Sequence, residues 1–205
     1  MVSARHGRTV RRVLGVAAAF GCLSVPGAAS AATLGPEDVA PPTSGGTYTC
    51  LSALTCTMAN VQLPATVGGK ETAPFTGKIT KWRVNIPIAH DSYTNDGPLA
   101  LQVLKRTAEN VGDDEYDDEY AAVRESKYKD VTPDSVNSFN TNLRIRKGQL
   151  IGLAQTDNET EVLGGGDPGF IQWFEPVLVP GETGAVATNT EESDYLLFNA
   201  KLVRD

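Results

Sequence analysis

Apolar and polar residues alternate with a repeat of two along most of the chain after residue 47. The clearest stretch places two sets of residues on opposite faces of one strand: Thr80, Trp82, Val84 and Ile86 against Lys81, Arg83 and Asn85. The stretches 99–103, 143–153 and 196–202 have the same alternation. A repeat of two is typical of half-buried strands, and glycine or proline separates these stretches. The pattern predicts an all-β fold, an antiparallel β-sandwich of jelly-roll type, over residues 47–205.

The first 31 residues have the pattern of a secretory signal peptide. Four arginines precede an apolar run from Val13 to Leu23, and the small residues Ala29 and Ala31 predict cleavage after Ala31. The run is shorter than the roughly 20 residues of a membrane-spanning helix. We therefore expect a secreted, extracellular protein with a bacterial-type signal peptide and no membrane span. The Sec route is favoured, and a twin-arginine signal or lipidation of Cys22 are the alternatives.

Residues 32–46 are rich in proline and glycine and have no periodic apolar pattern. This composition predicts a short, flexible and disordered leader between the signal peptide and the sandwich. The domain itself is expected to begin at Thr47.

The chain is acidic, with 25 Asp and Glu against 18 Lys and Arg and a net charge of −7. Removal of the signal peptide deepens the charge to −11, because four of the basic residues and no acidic residue lie in it. Nucleic acids reward clustered lysine and arginine, so the composition predicts no nucleic-acid partner. It favours solubility outside the cell and is compatible with divalent cations.

Two cysteines, Cys50 and Cys56, remain after the signal peptide. In an exported chain such a pair predicts a disulfide bond. Because β-prone residues flank both cysteines, we expect the bond to staple the two arms of a tight hairpin. Metal binding and redox chemistry are the alternatives, but the spacing fits neither.

Six of the seven residues in Asp113–Glu119 are acidic. Calcium takes six to eight oxygen ligands, so this loop is a candidate calcium site formed by Asp113, Asp114, Asp117 and Asp118. The spacing does not match the helix-loop-helix calcium motif. A solvated charged loop is the alternative, and no other cofactor is predicted.

Aromatic residues in or beside predicted loops suggest contacts with sugar rings. The candidates are Tyr116, Tyr120 and Trp173, and the last lies in an aromatic patch that begins at Phe170. The alternative is that Trp82 and Trp173 are buried in the core, as tryptophan usually is among apolar neighbours.

Catalytic chemistry has little support in the sequence. His90 is the one histidine after the signal peptide, and the Gly-x-Ser-x-Gly turn is absent. Many carboxylates are present, but glycoside hydrolysis needs two that face each other across a cleft. We therefore predict no catalytic residues, with a polysaccharide-active hydrolase using a carboxylate pair as the alternative.

Several phrases of the chain resemble a family of secreted actinobacterial β-sandwich proteins of unknown function. The similar phrases are Gly77-Lys-Ile-Thr-Lys-Trp-Arg-Val84, Leu99-Ala-Leu-Gln-Val-Leu-Lys-Arg106, Leu143-Arg-Ile-Arg-Lys-Gly-Gln-Leu-Ile-Gly-Leu153 and Leu196-Leu-Phe-Asn-Ala200. The resemblance implies an extracellular β-sandwich and supplies no catalytic residues. Gln149 stands where the family pattern commonly has an acid.

These observations together predict a secreted, non-enzymatic module that binds extracellular carbohydrate, with or without calcium. A structural protein of the cell envelope is a further alternative.

Overall fold

The computed structural model describes residues 30–40, 45–51, 53–89, 94–109, 111, 118–157 and 160–205. Within these residues the chain forms fifteen strands and one 3-10 turn at Ala65–Val67. In chain order the strands are β1 (Ala31–Leu34), β2 (Thr47–Tyr48), β3 (Cys56–Gln62), β4 (Gly77–Ile86), β5 (Pro98–Ala108), β6 (Glu119–Glu125), β7 (Lys129–Asp130), β8 (Ser135–Ile145), β9 (Leu150–Gln155), β10 (Val162–Gly165), β11 (Phe170–Phe174), β12 (Ala185–Val186), β13 (Asn189–Glu191), β14 (Tyr195–Leu196) and β15 (Phe198–Arg204). The prediction of an all-β, antiparallel sandwich is confirmed.

Two main sheets form the sandwich. The small sheet has the strand order β1-β15-β4-β8, and the large, curled sheet has the order β12-β6-β5-β9-β3-β11-β13 with β7 added beside β5. A short third sheet joins β14, β10 and β2. In the part of the chain that the structure describes, no helix has the length and apolar character needed to cross a membrane.

The main core lies between the two large layers, because the alternating apolar residues of each sheet point towards the other. Trp82 and Phe198 of the small sheet and Leu101, Leu153 and Trp173 of the large sheet are all buried in it. A second apolar cluster lies on the opposite face of the large sheet, where Leu178 from the segment after β11 packs on Leu104 and Phe174. Strand β9 is therefore buried at all six residues, which explains its continuous apolar run.

A β-bulge corrects the predicted face of strand β4. The pairing of β4 with β15 shifts register here: Ile79 lies opposite Leu202 and Lys81 lies opposite Lys201, so Thr80 is an extra residue of β4. Thr80 is consequently exposed and Ile79 is fully buried, contrary to the simple alternation, while Trp82, Val84 and Ile86 are buried as predicted.

The prediction of a flexible leader over residues 32–46 is wrong for its described part. Ala31–Leu34 forms the edge strand β1, which pairs antiparallel with β15. Leu34 is fully buried in the main core, and Val39 is buried in a separate cluster with Leu63 and Leu197. The proline and glycine residues of this segment obscured the two buried residues in the sequence pattern. Because Leu34 and Val39 are packed, the folded domain begins before Thr47. Residues 1–29, which hold most of the predicted signal peptide, lie outside the described residues.

The disulfide between Cys50 and Cys56 is present, with 5.5 Å between the two Cα atoms. The predicted hairpin around it is not formed. Strand β2, just before Cys50, pairs with β10, whereas Cys56 begins β3, which pairs with β9 and β11. The bond therefore links two segments that belong to different sheets, because β2 and β3 each pair with other strands and not with each other.

Candidate functional site

The structure describes three of the residues that the sequence suggested as sites: Asp118, Tyr120 and Trp173. Asp113, Asp114, Tyr116, Asp117 and His90 lie outside the described residues. The proposed calcium loop and one of the aromatic candidates therefore remain predictions.

Trp173 is not available to a ligand. Its side chain is only 2 % exposed in the main core, and its indole N–H donates to the carbonyl of Thr49 at 3.0 Å. Tyr48 packs against its ring, with 5.8 Å between the ring centroids. The alternation along β11 turns this residue inward, so the prediction of a ligand contact at Trp173 is wrong.

Tyr120 and Asp118 do come together, at a polar hollow of about 330 Å³ on the large sheet. The hollow is lined by residues of five strands and three loops: Val61, Gln62, Thr72, Arg106, Asp118, Tyr120, Gly148, Leu150 and Gln172. The Arg106 guanidinium donates to the Asp118 carboxylate at 2.9 Å. That hydrogen bond raises the pKa of Arg106 above its ordinary value. The Arg106 guanidinium therefore stays charged, and Asp118 holds it in position at one side of the hollow.

The Tyr120 ring is not a platform for stacking on a sugar. It is 5 % exposed and packs edge-on against Phe174, with 5.8 Å between the ring centroids. Burial first, and then the neighbouring Asp118 carboxylate, raise the pKa of Tyr120 to about 12. Only a polar contact through its hydroxyl is compatible with this position.

A larger groove, which we call the cationic groove, adjoins the hollow and shares Arg106 and Gly148 with it. The groove measures about 640 Å³. Its lining is Lys105, Arg106, Glu109, Val123, Arg124, Arg146, Lys147, Gly148 and Gln149. Five of these nine residues are basic and one is acidic, in a chain whose acidic residues outnumber the basic ones.

Three elements bring the five basic side chains to the groove. Lys105 and Arg106 lie near the end of β5, Arg124 lies on β6, and Arg146 and Lys147 form the turn between β8 and β9. Strands β5 and β6 pair directly, and β6 also contacts β8 at the open edge of the sandwich. The groove therefore lies where the free edge of the small sheet meets the end of the large one.

The turn that carries Arg146 and Lys147 is held by a dense set of hydrogen bonds. The side chain of Gln149 accepts from the Arg146 amide at 2.7 Å, and its backbone carbonyl accepts from Ala73 at 2.8 Å. Gly148 adopts φ +82°, a conformation that few other residues take, and its amide donates to the Ala73 carbonyl. The turn thus holds its backbone rigidly while both charged side chains stay exposed.

Most of the positive charge in the groove has no carboxylate partner among the described residues. In the part of the chain that the structure describes, Arg106 is the one basic residue of the groove with an ion pair, to Glu109 at 2.7 Å and to Asp118 at 2.9 Å. Among the described residues, no carboxylate lies within 4.0 Å of the charged groups of Lys105, Arg124, Arg146 or Lys147. Four cations that face one concave surface repel each other, and an anionic ligand would relieve that repulsion.

The ion pair of Asp118 with Arg106 bears on the calcium prediction. One carboxylate oxygen of Asp118 already accepts from a guanidinium, and this cation would repel a metal ion beside it. Within the described ranges, no group of three or more His, Cys, Asp or Glu residues is arranged to hold a metal.

Sequence reasoning missed the cationic groove because its residues come from three separate segments. The net charge also pointed away from an anionic ligand, since it averages the whole chain and hides a local cluster. The available signal was local: Lys105-Arg106 and Arg146-Lys147 each place two cations at the end of a predicted strand.

No protein-family model matches this chain, and the searches of curated proteins and of solved structures found no match either.

Proposed function

We propose that this protein is a secreted, non-enzymatic β-sandwich module that binds an acidic extracellular carbohydrate in the cationic groove. The observation that carries the proposal is the convergence of five basic side chains on one groove of an acidic protein. Secretion rests on the signal-peptide pattern of the first 31 residues and on the disulfide.

The chemistry of the groove favours carboxylate or sulfate groups on a polymer. Arg124 and Arg146 have planar guanidinium groups, which bind two oxygens of such a group at once. Lys105 and Lys147 add point charges that adapt to different positions of the anion. Lys105, Arg146 and Lys147 of the groove are exposed, so the groove is accessible to a chain of sugars.

Two carboxylates of the groove region, Glu109 and Asp118, bear on the alternative of a hydrolase. The Arg106 guanidinium bridges them, with Glu109 on one nitrogen and Asp118 on the other. A glycoside hydrolase instead needs two carboxylates that face each other across the scissile bond. The arrangement supports binding over hydrolysis at this groove.

The test is a depletion assay with the chain from residue 32 to 205. The protein is mixed with insoluble cross-linked polygalacturonate, with uncharged cross-linked dextran, or with neither, in calcium or in chelator, and the protein left in solution is measured. We expect loss to polygalacturonate only, with a dissociation constant that rises steeply with salt, since each neutralised anion releases a counterion.

Two double variants make this test specific to the groove. The R146Q/K147Q variant removes two positive charges from the groove, while K127Q/K129Q removes two exposed positive charges outside it. We expect the first variant to weaken binding about tenfold or more and the control to weaken it by less than about twofold. Equal weakening in both would contradict a groove-specific site. No depletion by any polymer would leave a structural role in the cell envelope as the better explanation.

The comparison of calcium with chelator tests separately whether the acidic loop binds calcium. Binding that disappears in chelator, and in a variant with Asp113, Asp114, Asp117 and Asp118 replaced by Asn, would show that the loop holds an ion needed for the ligand. If the chelator leaves binding unchanged, the groove binds its ligand without calcium.

A further inference from the structure

The exposed face of the small sheet carries a second group of basic residues, which we call the basic face. It consists of Lys78, Lys81 and Arg83 on β4, Arg144 on β8 and Lys201 on β15. The strand register places Lys81 directly opposite Lys201 and Lys78 directly opposite Arg144. Like charges at directly opposite positions of neighbouring strands are destabilising, so this register opposes the stability of the sheet.

One of these two like-charge pairs is compensated within the protein. The Asp205 carboxylate lies 4.0 Å from the Lys78 ammonium and 3.1 Å from the Arg144 guanidinium. In the described part of the chain, no carboxylate lies within 4.0 Å of Lys81 or Lys201. Lys81 and Lys201 therefore form a pair of adjacent, uncompensated cations.

A shallow hollow of about 510 Å³ lies over this uncompensated pair. Its lining is Ala31, Ala32, Thr33, Glu37, Lys81, Arg83, Asn199 and Lys201. The acidic member, Glu37, directs its carboxyl carbon towards Gly68, 2.9 Å from the position that a Cβ atom would occupy there. The hollow thus presents three cations and polar groups to a ligand.

The third cation, Arg83, is held in a fixed position. Its Nε donates to the Asn199 side chain at 3.1 Å, and one Nη donates to the Glu37 carbonyl at 3.1 Å. Asn199 is 3 % exposed and is itself fixed by a bond to the Pro36 carbonyl at 2.7 Å. These contacts use two of the five guanidinium N–H groups, and the other three have no partner among the described residues.

The surroundings of the hollow are polar rather than apolar. Exposed side chains on the same face include Thr80 of β4 and Ser138, Asn140 and Asn142 of β8. Among the exposed large apolar residues of the described chain, Val136 alone belongs to the small sheet. Such a face suits a hydroxyl-rich polyanion, whereas a membrane surface also rewards apolar side chains that insert between lipids.

We propose that the hollow is a second binding site for the acidic groups of the same polysaccharide. Lys81 and Lys201 would share one carboxylate or sulfate, and Arg83 would donate to it or to the next sugar. The two sites are linked at the end of β8, because Arg144 of the basic face lies on this strand and Arg146 of the cationic groove follows two residues later in the turn. The inference rests on the ligand class proposed for the groove, but not on the groove itself.

The experiment compares three double variants of the same chain: K81Q/K201Q in the hollow, R146Q/K147Q in the groove and the control K127Q/K129Q. Each is titrated with trigalacturonate, which is long enough for one site, and with soluble polygalacturonate of about 50 sugars. Anionic phospholipid vesicles form a third arm. Amide shifts in ¹⁵N spectra report which site the trimer occupies.

We expect the trimer to shift the backbone amides of positions 81, 199 and 201 in the R146Q/K147Q variant and to leave the amides of the same positions unmoved in K81Q/K201Q. For the long polymer, loss of either site is expected to weaken binding about tenfold or more, because two linked sites bind one chain with avidity. A K81Q/K201Q affinity for the polymer equal to that of the control would overturn the second site. Tighter binding to the vesicles than to the polymer, lost in K81Q/K201Q, would also overturn it, because the occupant would be a membrane.

The outcomes separate the two proposals. If K81Q/K201Q weakens polymer binding while R146Q/K147Q behaves as the control does, the cationic groove is not the site and the hollow stands. If R146Q/K147Q weakens polymer binding while K81Q/K201Q behaves as the control does, the cationic groove is the site and the hollow is not.

Discussion

Leu34 gives the sharpest test of the packed N-terminal segment, because the sequence suggested a flexible leader at this position. The side chain is fully buried in the main core, and the strand that carries it pairs along its length with β15. We predict that Leu34→Ala lowers the free energy of unfolding by about 3 kcal/mol, within the range of roughly 2–5 kcal/mol for a buried leucine. Part of this cost is lost transfer free energy, and the rest comes from the cavity left behind.

The measurement is urea unfolding of the chain from residue 32 to 205, followed by tryptophan fluorescence, since Trp82 and Trp173 are both buried in the same core. For a domain of this size, 3 kcal/mol corresponds to a fall in melting temperature of about 6–12 °C. Leu54→Ala is the matched control, because Leu54 is 68 % exposed and its truncation should cost less than about 0.5 kcal/mol.

Equal effects of the two substitutions would refute the reasoning. So would a chain beginning at Gly45 that unfolds with the same midpoint as the longer one, because that chain lacks β1 and Leu34. We expect this shortened chain to lose cooperative unfolding.

Three further predictions concern the interior and its titratable groups. Gln102→Met should lower the free energy of unfolding by about 1–3 kcal/mol, because it removes the donor to the Leu178 carbonyl (2.7 Å) and leaves that buried group unsatisfied; hydrogen exchange and urea unfolding would measure it, and a neutral result would contradict the role of this contact. The raised pKa of Tyr120, about 12 against an unfolded value near 10, means that the folded state holds this proton more tightly; its contribution to stability is complete below pH 10 and is lost as the pH rises to 12, so Tyr120→Phe should flatten the fall in stability over that window. Replacement of Cys50 and Cys56 by Ser should cost about 2 kcal/mol, since the closed loop is short, and a thermal melt with and without reductant gives an independent value for the same bond.

The fold class was predictable because burial of one strand face leaves a period of two in the sequence. The alternation at 99–103 and 196–202 predicted the inward residues correctly, and the disulfide followed from two cysteines in a chain whose sequence predicts export. The face of Thr80 was not predictable, because the bulge against β15 adds one residue to β4 without any mark in the local pattern. The N-terminal strand was missed because it is only four residues long and Leu34 is its one large apolar residue, so the alternation with Ala32 is too short to stand out.

Most of the candidate site could not be predicted from the sequence. Trp173 was a plausible ligand contact until its strand was seen to turn it inward. The cationic groove depends on the meeting of β5, β6 and the β8–β9 turn, which no local pattern specifies. The pairing of Lys81 with Lys201 likewise depends on a register between strands that are more than 100 residues apart. Long-range register is the physical quantity that single-sequence reasoning lacks.

The pairing of β1 with β15 has a consequence for how the chain is made. The ribosome completes β15 after all the other strands described, and this strand lies between β1 and β4 in the small sheet. During synthesis, β1 therefore lacks its pairing strand, and the core beside it stays open, until the last residues leave the ribosome. The small sheet therefore closes only when synthesis of the chain is complete.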